Sequence, residues 1–187
     1  HLFYVLTFPT AQRTWVYDFT TRLWHERRTW DSATSTWKAL RTMFGCSAFT
    51  RRLVADRQGG DIYTQSIDFT EDAGGDLIRR VRRSPAVFAQ HERIRFADLE
   101  VFLESGLGTT SGQGVDPQVT LRSSNDGGKT WGNERSVSAG ALGEYRKRVR
   151  FRRLGSSRDR VFEMSVTDPI PWRIVDAFVS VATTRVS

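Results

Sequence analysis

Apolar and polar residues alternate with a period of two along most of the chain, the pattern of strands with one buried face. Residues 2–8 read as a strand and 9–12 as a turn, since proline fixes its own φ and cannot donate to a ladder. Residues 13–17 form a second strand, with Thr14 and Val16 on the face of Asp18, and Trp15 and Tyr17 on the other. A turn at 18–21 leads to a third short strand at 23–26. Strands at 52–55 and 62–67 flank 56–61, an Asp-Arg-Gln-Gly-Gly-Asp stretch that tolerates positive φ and reads as a hairpin turn. Further strands are predicted at 77–83, 94–104, 118–123, 145–154, 160–167 and 174–183. Between them lie a Gly-rich loop at 105–114 and a tight turn at 125–128. Only residues 35–44 read as a helix. The result is an all-β, antiparallel chain of the kind found in sandwiches, barrels and propellers.

One spacing occurs twice: Asp18 precedes Trp24, and Asp31 precedes Trp37, by the same interval. Tyr17-Asp18 followed by Thr20 and Trp24 resembles the kelch-type pattern, in which a turn aspartate precedes a packed tryptophan. A propeller blade is a four-stranded antiparallel sheet, and the two copies lie too close together to be two blades. They therefore predict one blade. The composition shifts near Ser84-Pro85. The expected organisation is a propeller-blade-like part over residues 1–83, then a β-sandwich-like part over 84–187 carrying an Asp-box hairpin.

The 187 residues include 6 Trp, 4 Tyr and 12 Phe, enough aromatic surface for a core at this length. The longest uninterrupted apolar run, residues 2–6, is far short of the ~20 residues that a membrane-spanning helix needs. A single cysteine, Cys46, leaves no internal disulfide and no cysteine metal cage, in keeping with a reducing compartment. Lysine occurs only at 38, 129 and 147, so arginine supplies nearly all of the cations behind a formal charge of +7. Arginine grips phosphate and carboxylate in a fork and stays charged when buried, so a polyanionic partner is in question. A GC-rich genome produces the same bias. The chain begins at His1 rather than Met, which reads as a piece of something longer.

Two motifs stand out. Ser124, Asp126, Gly128, Thr130 and Trp131 match the Asp-box pattern S-x-D-x-G-x-T-W at every fixed position. The expected role is structural: Asp126 bonds the amides of the turn, Gly128 takes a positive φ, and Trp131 packs beneath, largely buried. Further on, a strand over 145–153 would align Arg146, Arg148, Arg150 and Arg152 on one face. Residues two apart on a strand lie ~6.7 Å from each other, so the row is a candidate for salt-dependent contact with a nucleic-acid backbone. The competing reading pairs these arginines with Asp98, Glu100 and Glu104 on a neighbouring strand. Arg79, Arg80, Arg82 and Arg83 form a second basic run, read as a solvated strand and linker. No catalytic residue is predicted. His1, His25 and His91 lack partners at metal-ligand spacing, there is no G-x-S-x-G elbow, and the glycines at 106 and 108 lack the lysine of a phosphate loop. No metal and no cofactor is expected.

Several stretches, taken in order, resemble one family. They include Tyr4-Val5-Leu6-Thr7-Phe8-Pro9-Thr10, Thr14-Trp15-Val16-Tyr17-Asp18 and Trp24-His25-Glu26-Arg27. Later come Ile78-Arg79-Arg80-Val81-Arg82-Arg83, Thr110-Ser111-Gly112-Gln113-Gly114, Asp116-Pro117-Gln118-Val119 and the Asp-box segment. Gly143-Glu144-Tyr145-Arg146, Arg152-Arg153-Leu154-Gly155, Arg158-Asp159-Arg160-Val161-Phe162-Glu163 and Asp168-Pro169 complete the set. Their order and spacing are similar to the C-terminal part of the packaged-DNA stabilisation proteins of short-tailed bacteriophages, also called tail hub or nozzle proteins. The resemblance implies a non-enzymatic virion subunit, assembled in the host cytoplasm and bearing a β-propeller. It implies a sixfold homo-oligomeric ring beneath the portal and adaptor that holds packaged DNA and lets it pass at ejection, touching it transiently and without sequence preference, with no membrane involved. In such a ring the loop 105–114 is a candidate contact between subunits. The alternatives are a sialidase-like propeller, for which one Asp-box is too few, and a carbohydrate-binding β domain.

Overall fold

The computed structural model describes residues 2–31, 33–57, 59–89 and 92–184, and these contain strands but no helix. The chain divides into two units, His1–Asp76 and Leu77–Ser187.

In the first unit, β1 (Phe3–Phe8), β2 (Arg13–Asp18), β3 (Leu23–Asp31) and β4 (Thr36–Ala39) form an antiparallel sheet in chain order. Each turn ends on a residue of left-handed φ one position before the next strand: Gln12 at 51°, Arg22 at 57° and Ser35 at 50°. This is the geometry of a turn closed by a left-handed residue, here without glycine. The repeated Asp-to-Trp spacing marks two successive hairpins of this one sheet. The Asp18 carboxylate accepts from Thr20 N at 2.8 Å, and that of Asp31 from Ala33 N at 3.0 Å. Trp24 then pairs across the strands with Tyr17, and Trp37 with Trp30, with ring centroids 5.1 and 5.0 Å apart.

A second sheet of the same unit comprises β5 (Thr42–Ala48), β6 (Arg51–Asp56) and β7 (Ile62–Thr64), again antiparallel in chain order. The helix expected at 35–44 is replaced by β4, a crossing and the start of β5. Its backbone amides find partners elsewhere: Leu40 N donates to Thr14 Oγ1 and Arg41 N to Thr29 Oγ1, both at 3.0 Å. Lys38 forms an ion pair with Asp31. The buried carboxylate of Asp56 accepts from Arg41 Nε at 2.6 Å. Asp56 N donates to Asp61 O at 3.0 Å across the expected turn, whose Gln58 lies outside the described residues.

The second unit comprises β8 (Arg80–Arg83), β9 (Val87–Phe88), β10 (Arg93–Leu103), β11 (Gln118–Ser124), β12 (Arg135–Ser138), β13 (Val149–Ser157), β14 (Asp159–Val166) and β15 (Ile174–Thr184). One sheet has the order β13-β10-β15. The other has the order β12-β11-β14-β8, with β9 also paired to β14. Both sheets feed one core. Ile94, Phe96, Leu99, Val101, Val149 and Phe151 come from the first, and Val119, Leu121, Phe162, Met164 and Val166 from the second. Phe96 meets Phe162 edge-to-face at 5.6 Å. Two antiparallel sheets closing on a shared core make a β-sandwich.

The inward positions of β10 shift phase between Phe96 and Leu99, because the pairing register jumps between Phe96 and Asp98. Ala97 is the extra residue against β15, whereas against β13 the extra residue lies on β13, between Arg152 and Gly155. The boundary also differs from the expected one after Arg83. β8 pairs with β14, so residues 77–83 belong to the sandwich. The Arg80 guanidinium adds side-chain bonds there, donating to the carbonyls of Ile170 and Asp168.

The two-residue turn between β5 and β6 places Phe49 at φ 52° and Thr50 at φ 59°. Left-handed φ is unfavourable for any residue with a Cβ, and a β-branched side chain suits it least. Thr50→Gly should therefore stabilise the protein by about 0.5–1 kcal/mol once glycine's entropic cost is deducted. The check is a higher urea midpoint at unchanged m.

Candidate functional site

β11 ends at Ser124, which is buried at the start of the Asp-box turn. Ser124 Oγ donates to Asp126 Oδ1 at 2.6 Å and accepts from Gly128 N at 2.8 Å. The Asp126 carboxylate accepts from the amides of Lys129 and Thr130, both at 2.9 Å, and from the Thr130 hydroxyl at 2.6 Å. Gly127 and Gly128 carry φ of 72° and 94°, and Gly132 N returns to Ser123 O at 2.9 Å. The five matched positions are thus brought together in one closed turn. The Ser124 and Thr130 hydroxyls, then the backbone amides, hold the Asp126 carboxyl far below the usual carboxylate range.

Trp131 was expected to be largely buried; it is half-buried. Two guanidiniums lie over its ring, with Arg122 at 4.8 Å and Arg83 at 5.1 Å from its centroid. The same arginines grip one carboxylate: Arg83 Nε lies 2.5 Å from Glu163 Oε2, and Arg122 Nε 2.5 Å from Glu163 Oε1. Glu163 is buried on β14, and its register partners are Arg83 on β8 and Arg122 on β11. Burial pushes its carboxyl up, but the two arginines outweigh burial and leave it lowered. Sequence reading missed this cluster. Its signal was an acid set between Phe162 and Met164 in the middle of a strand.

Both Nε groups are taken up by Glu163, so the cluster braces three neighbouring strands. The described residues contain no group of three His, Cys, Asp or Glu able to hold a metal ion. His25 Nε2 accepts from Arg27 Nε at 3.1 Å, and burial and Arg27 keep its imidazole below the usual pKa. His1 and His91 lie outside the described residues. A 220 Å³ cleft in the first unit is lined by Phe3, Val5, Arg27, Met43 and Arg52 among others.

The predicted arginine row divides. The strand begins at Val149, not Tyr145, because residues 141–147 fold into turns: Glu144 N donates to Ala141 O at 3.0 Å and Tyr145 N to Gly143 O at 3.0 Å. Arg146 therefore lies on a turn and leaves the row. Arg150 Nη2 is 2.8 Å from Asp98 Oδ2, and Arg148 Nη1 is 3.6 Å from Glu100 Oε1. Asp98 is held low first by the Arg150 hydrogen bond and then by that of Ser180. These two pairs brace β13 against β10. Arg152 stands opposite Asp98 and forms no ion pair among the described residues. Loop 105–114 is tied into its own unit: Thr109 N donates to Gly114 O at 2.8 Å, and Gly143 N to Gly106 O at 3.2 Å. A Cβ on Gly106 would come within 2.7 Å of the Tyr145 ring, so the loop presents mainly its exposed tip, residues 110–113.

Glu163→Ala should destabilise the protein by about 3 kcal/mol, the low end for breaking a buried ion pair, because Arg83 reaches solvent. Calorimetry of the two proteins measures the difference. Asp126 and Glu163 both have lowered carboxyl pKa values in the folded chain. Their stabilisation is therefore complete above about pH 5 and is lost as pH falls through the folded values. Between pH 5 and pH 2 the melting temperature of wild type should drop more steeply than that of Asp126→Asn, which starts lower and has lost that titration.

A family model described as the bacteriophage P22 Gp10 β-sandwich matches residues 79–182. No curated protein matches the chain. The matched span opens at the foot of β8 and runs into β15, so it covers the sandwich built above. It takes in more than half of the chain, which therefore belongs to the bacteriophage P22 Gp10 β-sandwich family, structural proteins of the phage tail.

Proposed function

We propose that this tail protein is a subunit of the channel of a short-tailed phage, a hub or nozzle component that retains packaged DNA and forms part of the ejection conduit. The subunits form a sixfold ring beneath the portal and adaptor, contact other tail proteins, and are assembled in the host cytoplasm before residing in the virion. The role is structural and needs no catalysis, metal or cofactor. The family match over the whole sandwich carries this reading.

Three further observations support it. The first unit contains a four-stranded antiparallel sheet followed by a three-stranded one, both in chain order, as successive propeller blades would be. Its exposed large apolar residues include Phe44, Phe49 and Ile67, in keeping with surfaces covered on assembly. Charge is also segregated. Residues 1–76 hold nine cations and nine anions, whereas 77–187 hold nineteen and twelve, so the whole excess of +7 lies in the sandwich unit. The Asp-box serves this role as a structural turn.

Electron microscopy of the purified full-length protein is the test. A closed ring with an open lumen is expected, and a protein that stays monomeric at micromolar concentration overturns the proposal.

A further inference from the structure

We infer that the outer face of the β13-β10-β15 sheet carries a contact site for the phosphate backbone of duplex DNA, formed by Arg93, Arg95 and Arg152. The inference rests on the tail-channel reading and names the surface that would meet DNA there.

The register places the three on one face. Ile94, Phe96, Leu99 and Val101 of β10 point into the core, so Arg93, Arg95, Asp98 and Glu100 point out. Arg152 is the register partner of Asp98 and shares its side. All three arginines are exposed.

The pairing pattern then explains why they stand apart. Arg150 is opposite Glu100 but reaches one outward position along β10 to Asp98, and Arg148 reaches Glu100. Arg152 stands opposite Asp98 and helps through space to keep that carboxylate ionised, but the Asp98 oxygens are bonded to Arg150 and Ser180, so its own donors stay open. Among the described residues, none of the three arginines forms an ion pair or a side-chain hydrogen bond. The cross-strand neighbours of Arg95, Ser156 and Ala182, are small and uncharged, and the acid opposite Arg152 is already held by Arg150 and Ser180.

Duplex DNA fits this surface best. It presents a charge about every 1.7 Å of its axis, while arginines two apart on a strand span ~6.7 Å. This end of the face has no large apolar anchor of the sort that dominates protein interfaces. The Phe102–Phe178 stack lies towards the other end, with Phe178 opposite Glu100 and Phe102 beyond it. Guanidiniums set among alanine and serine suit backbone contact without base readout.

The test measures binding of the full chain to a fluorescent 24-base-pair duplex by anisotropy, from 50 to 300 mM NaCl. Replacing all three by glutamine (R93Q, R95Q, R152Q) should reduce the slope of log K against log salt by about 2.7, since each phosphate contact contributes about 0.9. At 50 mM salt, affinity should fall at least tenfold. A second triple variant (R82Q, K129Q, R135Q) removes the same charge from the other sheet of the sandwich and the turn between β11 and β12, and should reduce the slope by less than one. Equal losses in the two variants overturn the site in favour of net charge alone. Tighter binding of poly-glutamate than of DNA at matched charge overturns it in favour of an acidic protein partner. The first triple variant should fold as wild type does; should it fail to fold, R95Q alone carries the test with an expected slope change of about 0.9. Normal rings with an unchanged slope would overturn this site and leave the channel role standing. A retained slope difference without rings would do the reverse.

Discussion

Glu163 carries a full charge on the strand between β11 and β8, at a position where water hardly reaches. An isolated carboxylate there would be very costly, so the fold must deliver two guanidiniums from two other strands to it. That requirement fixes the register of β8 and β11 relative to β14 and brings the Asp-box tryptophan down over the arginines. A sheet held by backbone bonds and apolar contacts alone could slip by two residues and keep its faces correct. With Glu163 in place, such a slip would strand the charge.

The opposite sheet uses the same device near the surface. Arg148 and Arg150 lean onto Glu100 and Asp98, so basic and acidic strands lock in one register. Because Arg148 and Arg150 already have carboxylate partners, the arginines of that face that form no ion pair among the described residues lie at and beyond the bulge. The bulge is therefore both a packing feature and the divider between braced and open ends of one sheet face.

Much of this was legible in the sequence, because alternation reports burial directly. Val16 and Thr14 were placed on one face of β2, and both are fully buried. The tandem Asp-to-Trp spacing read as one blade, and the structure places it in two hairpins of one sheet. Three things were hidden for distinct physical reasons. A bulge breaks the period of two without any marker residue, so the shift at Ala97 could not be seen. Residues 145–148 alternate like a strand, yet Gly140 and Gly143, both at positive φ, fold the segment before them into turns. A buried Glu163 becomes reasonable only when its partners are known, and these lie 80 and 41 residues away in sequence. The half-exposed Trp131 has the same origin, since its ring packs against charged groups that themselves reach water.

β8 is also where the chain enters the sandwich from the first unit, and it has four residues at the edge of a sheet. Any tension between the units arrives at this short strand first. A ladder of that length peels readily, one bond after another. Arg80 at its start grips the carbonyls of Asp168 and Ile170, and Arg83 at its end grips Glu163. The strand thus resembles a strap riveted at both ends, in which a pull on the linker is shared between two anchors before any backbone bond must give way.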